Sequence, residues 1–216
     1  LAETDRRPIA TRNRRWAQQI AARLARSSIT PNAISVTSAL FGAAGGAALW
    51  QASRVTPSLA SALYVVAALC IQGRLLCNLF DGMVAVEGGK KTPAGEIYNE
   101  LPDRVSDTAL LLGAGLATGD AAGLLLGLSA ALLAMATAYV RLLGVSAGAP
   151  HFFSGPMAKQ HRMALLSLAC LTAAFLSHAG QAARVMLWAL GLIAAGSLLT
   201  AMRRTRQIVR HLEERV

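Results

Sequence analysis

The sequence predicts an all-α integral membrane protein with six transmembrane helices, preceded by an amphipathic helix lying on the membrane surface. Three observations carry that expectation. Of 216 residues, 54% are hydrophobic and only 15% are charged, and the mean hydropathy is +0.46, outside the balance of a soluble globular domain. Six apolar runs approach the roughly 20 residues needed to cross a bilayer. Arginines gather before the first run and after the last.

From the N-terminus, residues 1–29 form a basic segment. Between Pro8 and Ser28, Ile9, Trp16, Ile20 and Leu24 share one helical face with arginines around them, the pattern of a helix lying in the interface. Leu1 follows no cleavable signal pattern, so an artificial or processing boundary is expected there. Thr30-Pro31-Asn32 then turns the chain inward, with Thr30 as N-cap and Pro31 at the first helical position. The membrane domain is expected over 30–202, with spans at 33–50, 59–79, 97–118, 121–145, 163–178 and 183–202. The second can extend to Val86, and the second and third carry polar residues at one end. A basic tail follows at 203–216. Cys70, Cys77 and Cys170 lie in apolar segments without metal-ligand spacing, so buried thiols are expected.

Lys and Arg near span ends remain on the cytoplasmic side. Arg6, Arg7, Arg12, Arg14, Arg15, Arg23 and Arg26 precede the first span, and Arg203, Arg204, Arg206, Arg210 and Arg215 follow the last. Both termini are therefore expected in the cytoplasm, together with the loops holding Lys90 and Lys91 and residues 151–160. The opposite loops contribute little beyond Arg54 and Arg184. The net charge of +10 is explained by anionic lipid head groups at these edges, so no nucleic-acid partner is expected.

Between Asp81 and Asp107 stand six of the chain's eleven carboxylates. Asn78 and Asp81 are three apart and share a helical face, with the small Gly82 and Ala85 beside them. On the next helix Gly95, Asn99, Asp103 and Asp107 recur every fourth residue and form a second polar stripe. Carboxylates at membrane depth need a partner or a wet cavity, and Asp81, Asp103 and Asp107 would repel one another without a positive charge between them. A divalent ion is the simplest remedy, and oxygen donors favour Mg²⁺ or Mn²⁺. Gly82, Ala85 and Gly95 would let a ligand approach the backbone, although small residues also serve close helix packing.

These residues resemble the CDP-alcohol phosphotransferases, whose pattern is DxxDGxxAR, eight residues, then GxxxDxxxD. The chain reads Asn78-Leu79-Phe80-Asp81-Gly82-Met83-Val84-Ala85-Val86, eight residues, then Gly95-Glu96-Ile97-Tyr98-Asn99-Glu100-Leu101-Pro102-Asp103. Every spacing matches. The resemblance implies a six-span enzyme of phospholipid synthesis, homodimeric and resident in a bacterial inner membrane, with its active site at the cytoplasmic face. It would move a substituted phosphate from a CDP-linked lipid donor, CDP-diacylglycerol foremost, to an alcohol acceptor, with release of CMP. In the family the first three aspartates mainly hold two divalent ions and the fourth is the base on the acceptor hydroxyl. Carried over, Asp81 and Asp103 are the metal ligands, assisted by Asn78, Asn99 and Asp107, and Asp103 is the catalytic base. Gly82, Ala85, Gly95, Arg141, Lys159 and Arg162 are expected to contact substrate, and Lys90 and Lys91 to anchor the loop.

The chain also departs from the pattern: Asn78 and Asn99 stand at the first and third aspartate positions and Val86 at the arginine. Two other readings therefore stay open, a catalytically impaired relative that binds CDP-lipid as regulator or scaffold, and a small cation-coupled transporter. The acceptor alcohol is not legible.

Overall fold

The structure is a computed structural model, and its described residues are Arg12 and 14–214. Seven α-helices follow in order: α1 (Arg15–Arg26), α2 (Pro31–Ala52), α3 (Pro57–Glu87), α4 (Gly95–Leu116), α5 (Ala121–Ser146), α6 (Lys159–Leu176) and α7 (Ala182–Glu213). A short 3-10 turn, Ser177–Ala179, closes α6 at Gly180, whose positive φ of 67° suits a residue without a side chain. Among the described residues there is no strand. The predicted all-α membrane architecture is observed.

Local chemistry sets the helix starts. Thr30 caps α2, its hydroxyl accepting from the Ala33 N–H at 3.2 Å, with Pro31 in the first turn. Asp120 caps α5 in the same way, accepting from the Gly123 N–H at 2.7 Å. Helices α2, α3, α5, α6 with its 3-10 extension, and α7 are long and apolar enough to cross a membrane. Helix α4 has comparable length, 22 residues, but holds the charged stripe in its first half. Helix α3 takes the longer of the two lengths open to it, ending at Glu87. At 1.5 Å per residue its 31 residues span about 46 Å, well beyond a hydrocarbon core of about 30 Å. The last helix also exceeds its expectation: the boundary at 202 falls inside α7, which continues to Glu213. Arg204 and Ile208, four apart on its inner face, are both buried.

The six long helices close into a ring in the order α2, α3, α6, α7, α5, α4, each packing mainly on two neighbours. Their inner faces bury Leu49, Tyr64, Ile71, Leu110, Leu111, Met163, Leu166, Met186 and Leu190, while Leu69, Leu125, Leu132, Phe175 and Trp188 point outward, as a lipid-facing surface requires. Helix α1 lies against the end of α3. Its Ala17 and Ala21 bury against Leu79 and Met83, and Trp16 meets Phe80 edge-on with centroids 6.3 Å apart. Of the residues predicted for this amphipathic face, Ile9 lies outside the described residues. Cys70, Cys77 and Cys170 are free thiols.

Helices α2 and α4 touch backbone to backbone. A Cβ on Gly113 would stand 2.3 Å from the Gly46 carbonyl oxygen, and one on Gly46 would stand 2.4 Å from that of Ala109. Neither position accepts a side chain unless the helices separate. Gly113→Val is expected to destabilise the protein by about 1–3 kcal/mol or more through overpacking. Gly191, which has nothing within 4 Å of a built Cβ, is the matched control: Gly191→Ala should leave stability equal or slightly higher. Thermal unfolding of the two variants in the same detergent compares them.

Candidate active site

Helices α3 and α4 bring their polar stripes together at the end of the bundle that α1 covers. Asp81, Asp103 and Asp107 are all buried, at 5%, 5% and 3% exposure. Ser35 on α2 donates its hydroxyl hydrogen to Asp81 Oδ2 at 2.7 Å. Asp103 is held from three sides. Asn78 Nδ2 donates to its Oδ1 at 2.8 Å, Lys159 Nζ forms an ion pair with its Oδ2, and Arg74 Nη2 lies 3.3 Å from Oδ1. That same Arg74 nitrogen sits 2.5 Å from Asp107 Oδ1, and Arg162 Nη2 is 2.9 Å from Asp107 Oδ2.

A second group of charges adjoins the first. Arg141 Nη2 pairs with Glu100 Oε1 at 2.5 Å, and Arg104 bridges Glu100 Oε2 at 3.4 Å and Asp103 Oδ2 at 3.8 Å. Above these pairs opens a cavity of about 940 Å³. Its wall includes Asn78, Asp81, Asn99, Asp103, Arg104 and Lys159, with Arg12, Lys90, Lys91 and Arg141 adding positive charge. An anion of several charges, set beside apolar helix surface, is the ligand this lining suits.

No protein-family model matches the sequence, and no curated protein sequence matches it. Solved structures do match. The crystal structure of Mycobacterium tuberculosis phosphatidylinositol phosphate synthase (PgsA1) with CDP-DAG bound superposes with a TM-score of 0.73 at 20% identity, covering 90% of this chain and 94% of that one. The same synthase in complex with manganese and citrate gives 0.72 at 19% identity, with coverage of 89% and 88%. Its apo form gives 0.69 at 20% identity, with coverage of 88% and 95%. The chain has the CDP-alcohol phosphotransferase fold. Since the match takes in nearly all of both chains, the phosphotransferase fold accounts for the whole bundle and leaves no additional domain within the described residues.

Within this fold, the residues singled out from the sequence fall into two layers. Asn78, Asp81, Gly82, Ala85, Gly95, Asn99, Asp103, Arg141 and Lys159 line the one cavity. Asp107 and Arg162 lie beneath it, sealed from solvent. The structure separates packing glycines from cavity glycines. A Cβ on Gly82 would come no closer than 3.6 Å to Arg12, and one on Gly95 no closer than 3.4 Å to Thr92, so neither glycine is demanded by helix contact. Lys90 donates to the carbonyls of Ser27 and Ile29 at 2.7 and 3.3 Å, tying the α3–α4 loop to the α1–α2 link while also lining the cavity.

Four participants were missed in the sequence: Ser35, Arg74, Glu100 and Arg104. Arg74 had a legible signal, since an arginine in the middle of a long apolar run carries a heavy cost unless it has a partner, and its spacing to Asn78 and Asp81 puts all three on one face. The positive charge required between Asp103 and Asp107 is thus present in the chain itself. Among the described residues no three His, Cys, Asp or Glu side chains form a metal-ligand group, and Asp103 and Asp107 are already paired with protein cations. A single hard ion does fit: Asp81 has no ion-pair partner among the described residues, and Mg²⁺ is commonly held by one or two carboxylates together with substrate phosphates.

Proposed function

We propose that the chain transfers a phosphatidyl group from CDP-diacylglycerol to an alcohol with release of CMP, at the cytoplasmic face of a bacterial inner membrane, as a homodimer with both termini in the cytoplasm. The observation that carries the reading is the cavity itself. It joins a buried carboxylate, Asp103, and one without an ion pair among the described residues, Asp81, to a rim of Arg12, Lys90, Lys91, Arg104, Arg141 and Lys159. Its fold is shared with a synthase crystallised with CDP-DAG. A polar cavity at the end of a membrane bundle lets a soluble nucleotide and acyl chains be accommodated at once.

In this reading the cationic rim holds the nucleotide pyrophosphate, and Gly82, Ala85 and Gly95 leave room for it against the helix backbones. Asp103 accepts the proton of the acceptor hydroxyl as that oxygen attacks the phosphorus of the phosphatidyl group. The bond from this phosphorus to the bridging oxygen breaks, and the electron pair departs with CMP. Lys159 and Asn78 keep the Asp103 carboxylate oriented, and Lys159 also faces the charge that gathers on the phosphoryl oxygens. Mg²⁺ or Mn²⁺, held by Asp81 with the amide oxygens of Asn78 and Asn99, would supply neutralisation of that charge when bound. Arg162 and Asp107 are assigned here to support of the cavity floor.

Incubation of the purified protein with CDP-diacylglycerol and a panel of alcohols, with products read by mass spectrometry, tests the proposal. CMP together with a new phospholipid is expected. If CDP-diacylglycerol binds but no acceptor yields CMP, a second reading takes over, that of a catalytically impaired CDP-lipid binder. The pairing of Asp103 and Asp107 with protein cations favours this one. Arg141 and Lys90 give a graded check. Arg141 is wedged between Glu100 and the Phe153 ring, 5.4 Å away, whereas Lys90 is spent on loop carbonyls. Arg141→Ala is expected to raise the apparent KM for the CDP-lipid about tenfold or more, and Lys90→Ala by less than about threefold. The reverse ranking in steady-state kinetics would move the phosphate surface to the α3–α4 loop.

A further inference from the structure

The carboxylate oxygens of Asp103 and Asp107 are already spoken for. Asp103 Oδ1 accepts from Asn78 and Arg74, and its Oδ2 faces Lys159. Asp107 Oδ1 accepts from Arg74 and its Oδ2 from Arg162. A divalent ion bound through these oxygens, at about 2.0–2.1 Å for Mg²⁺, would have to displace an ammonium or a guanidinium. Two carboxylates, Asp103 and Asp107, are met by Arg74, Lys159 and Arg162, with Arg104 also 3.8 Å from Asp103 Oδ2, so their charge is neutralised before any metal arrives.

Asn78 belongs to the same exchange. Its nearest polar neighbour is an acceptor-only carboxylate oxygen at 2.8 Å, so its amide must present the NH₂ end. A carboxylate at that position would set two like charges at hydrogen-bond distance, tolerable only with a cation lodged between them. The two features are complementary: where lysine and arginine neutralise Asp103 directly, the neighbour on α3 has to be a donor.

We propose that Arg74 and Lys159 take the electrostatic place of one of the two divalent ions that the resemblance to the CDP-alcohol phosphotransferases implies, leaving at most one exchangeable ion, on Asp81. The inference rests on the transfer reading for its nucleotide but not for its ion count. Arg74 and Lys159 are positioning residues for Asp103 in this account, and the asparagine at 78 is the compensation for their charge.

Mn²⁺ bound per chain, counted by electron paramagnetic resonance on the full-length protein in detergent with and without CDP, tests the proposal. Wild type should take up no more than one Mn²⁺ per chain in either condition, and more tightly when CDP is present. The double variant Asn78→Asp with Lys159→Gln removes the built-in cation and restores the carboxylate. It should gain one Mn²⁺ and bind it at concentrations about tenfold lower or better, and its thermal unfolding should become Mn²⁺-dependent. Two Mn²⁺ of similar affinity in wild type overturn the proposal, as does a folded double variant that gains no ion. Should the double variant fail to fold, the wild-type count decides alone. CDP that binds neither with nor without Mn²⁺ tells against the transfer reading instead, and the Mn²⁺ count still judges this one.

Discussion

Asp103→Asn is expected to lower CMP release from CDP-diacylglycerol by about a thousandfold, within the range that a positioned general base contributes. The loss has two sources. An amide cannot take the acceptor proton, and its NH₂ would face either Asn78 Nδ2 or Lys159 Nζ, both donors, so the side chain also loses its orientation. Arg74, in contact with the Asp103 backbone carbonyl as well as its side chain, retains Asp107, so insertion and purification should survive. Chromatographic CMP assay together with size exclusion separates the chemistry from the fold. Turnover within about threefold of wild type would remove Asp103 from the role of base.

The largest stability effect is expected one turn deeper. Asp107→Ala leaves Arg74 and Arg162, 0% and 1% exposed, with a lost carboxylate each, and breaking a buried pair in this way costs about 3–5 kcal/mol. The loss should appear as lower yield and a lower unfolding temperature in detergent. Asp107→Asn, which keeps one acceptor oxygen, should fall between the variant and wild type. If Asp107→Ala unfolds like wild type but binds Mn²⁺ more weakly, Asp107 returns to the metal-ligand set that its place on the α4 stripe first suggested.

What could be read from the sequence was whatever is encoded within one helix. The Thr30 cap, the long α3 and the shared faces of Asn78 with Asp81 and of Asn99 with Asp103 all follow from spacing along a single helix. Which cation meets which carboxylate does not, because Arg74 on α3, Arg141 on α5 and Lys159 and Arg162 on α6 converge only after the ring closes. Gly46 and Gly82 look alike in sequence, yet one is pressed against a neighbouring backbone and the other borders open space. The extension of α7 to Glu213 is not legible where the arginines from 203 read as a basic tail. Arg204 in fact turns inward, donating to the carbonyls of Thr137, Phe153 and Ser154, and so fastens α7 to the loop that carries part of the cavity wall.

The crossing at Gly46 and Gly113 has a mechanical meaning. With Gly115 and Gly127 repeating the same close approach between α4 and α5, three of the six helices are joined through their backbones and cannot slide past one another without collision. The opposite half of the ring is joined differently, by side chains such as Gln72 with Ser167 and Ser61 with the Ala174 carbonyl, which can exchange partners as they move. Amides along α2 and α4 at these crossings should therefore be among the slowest to exchange with solvent.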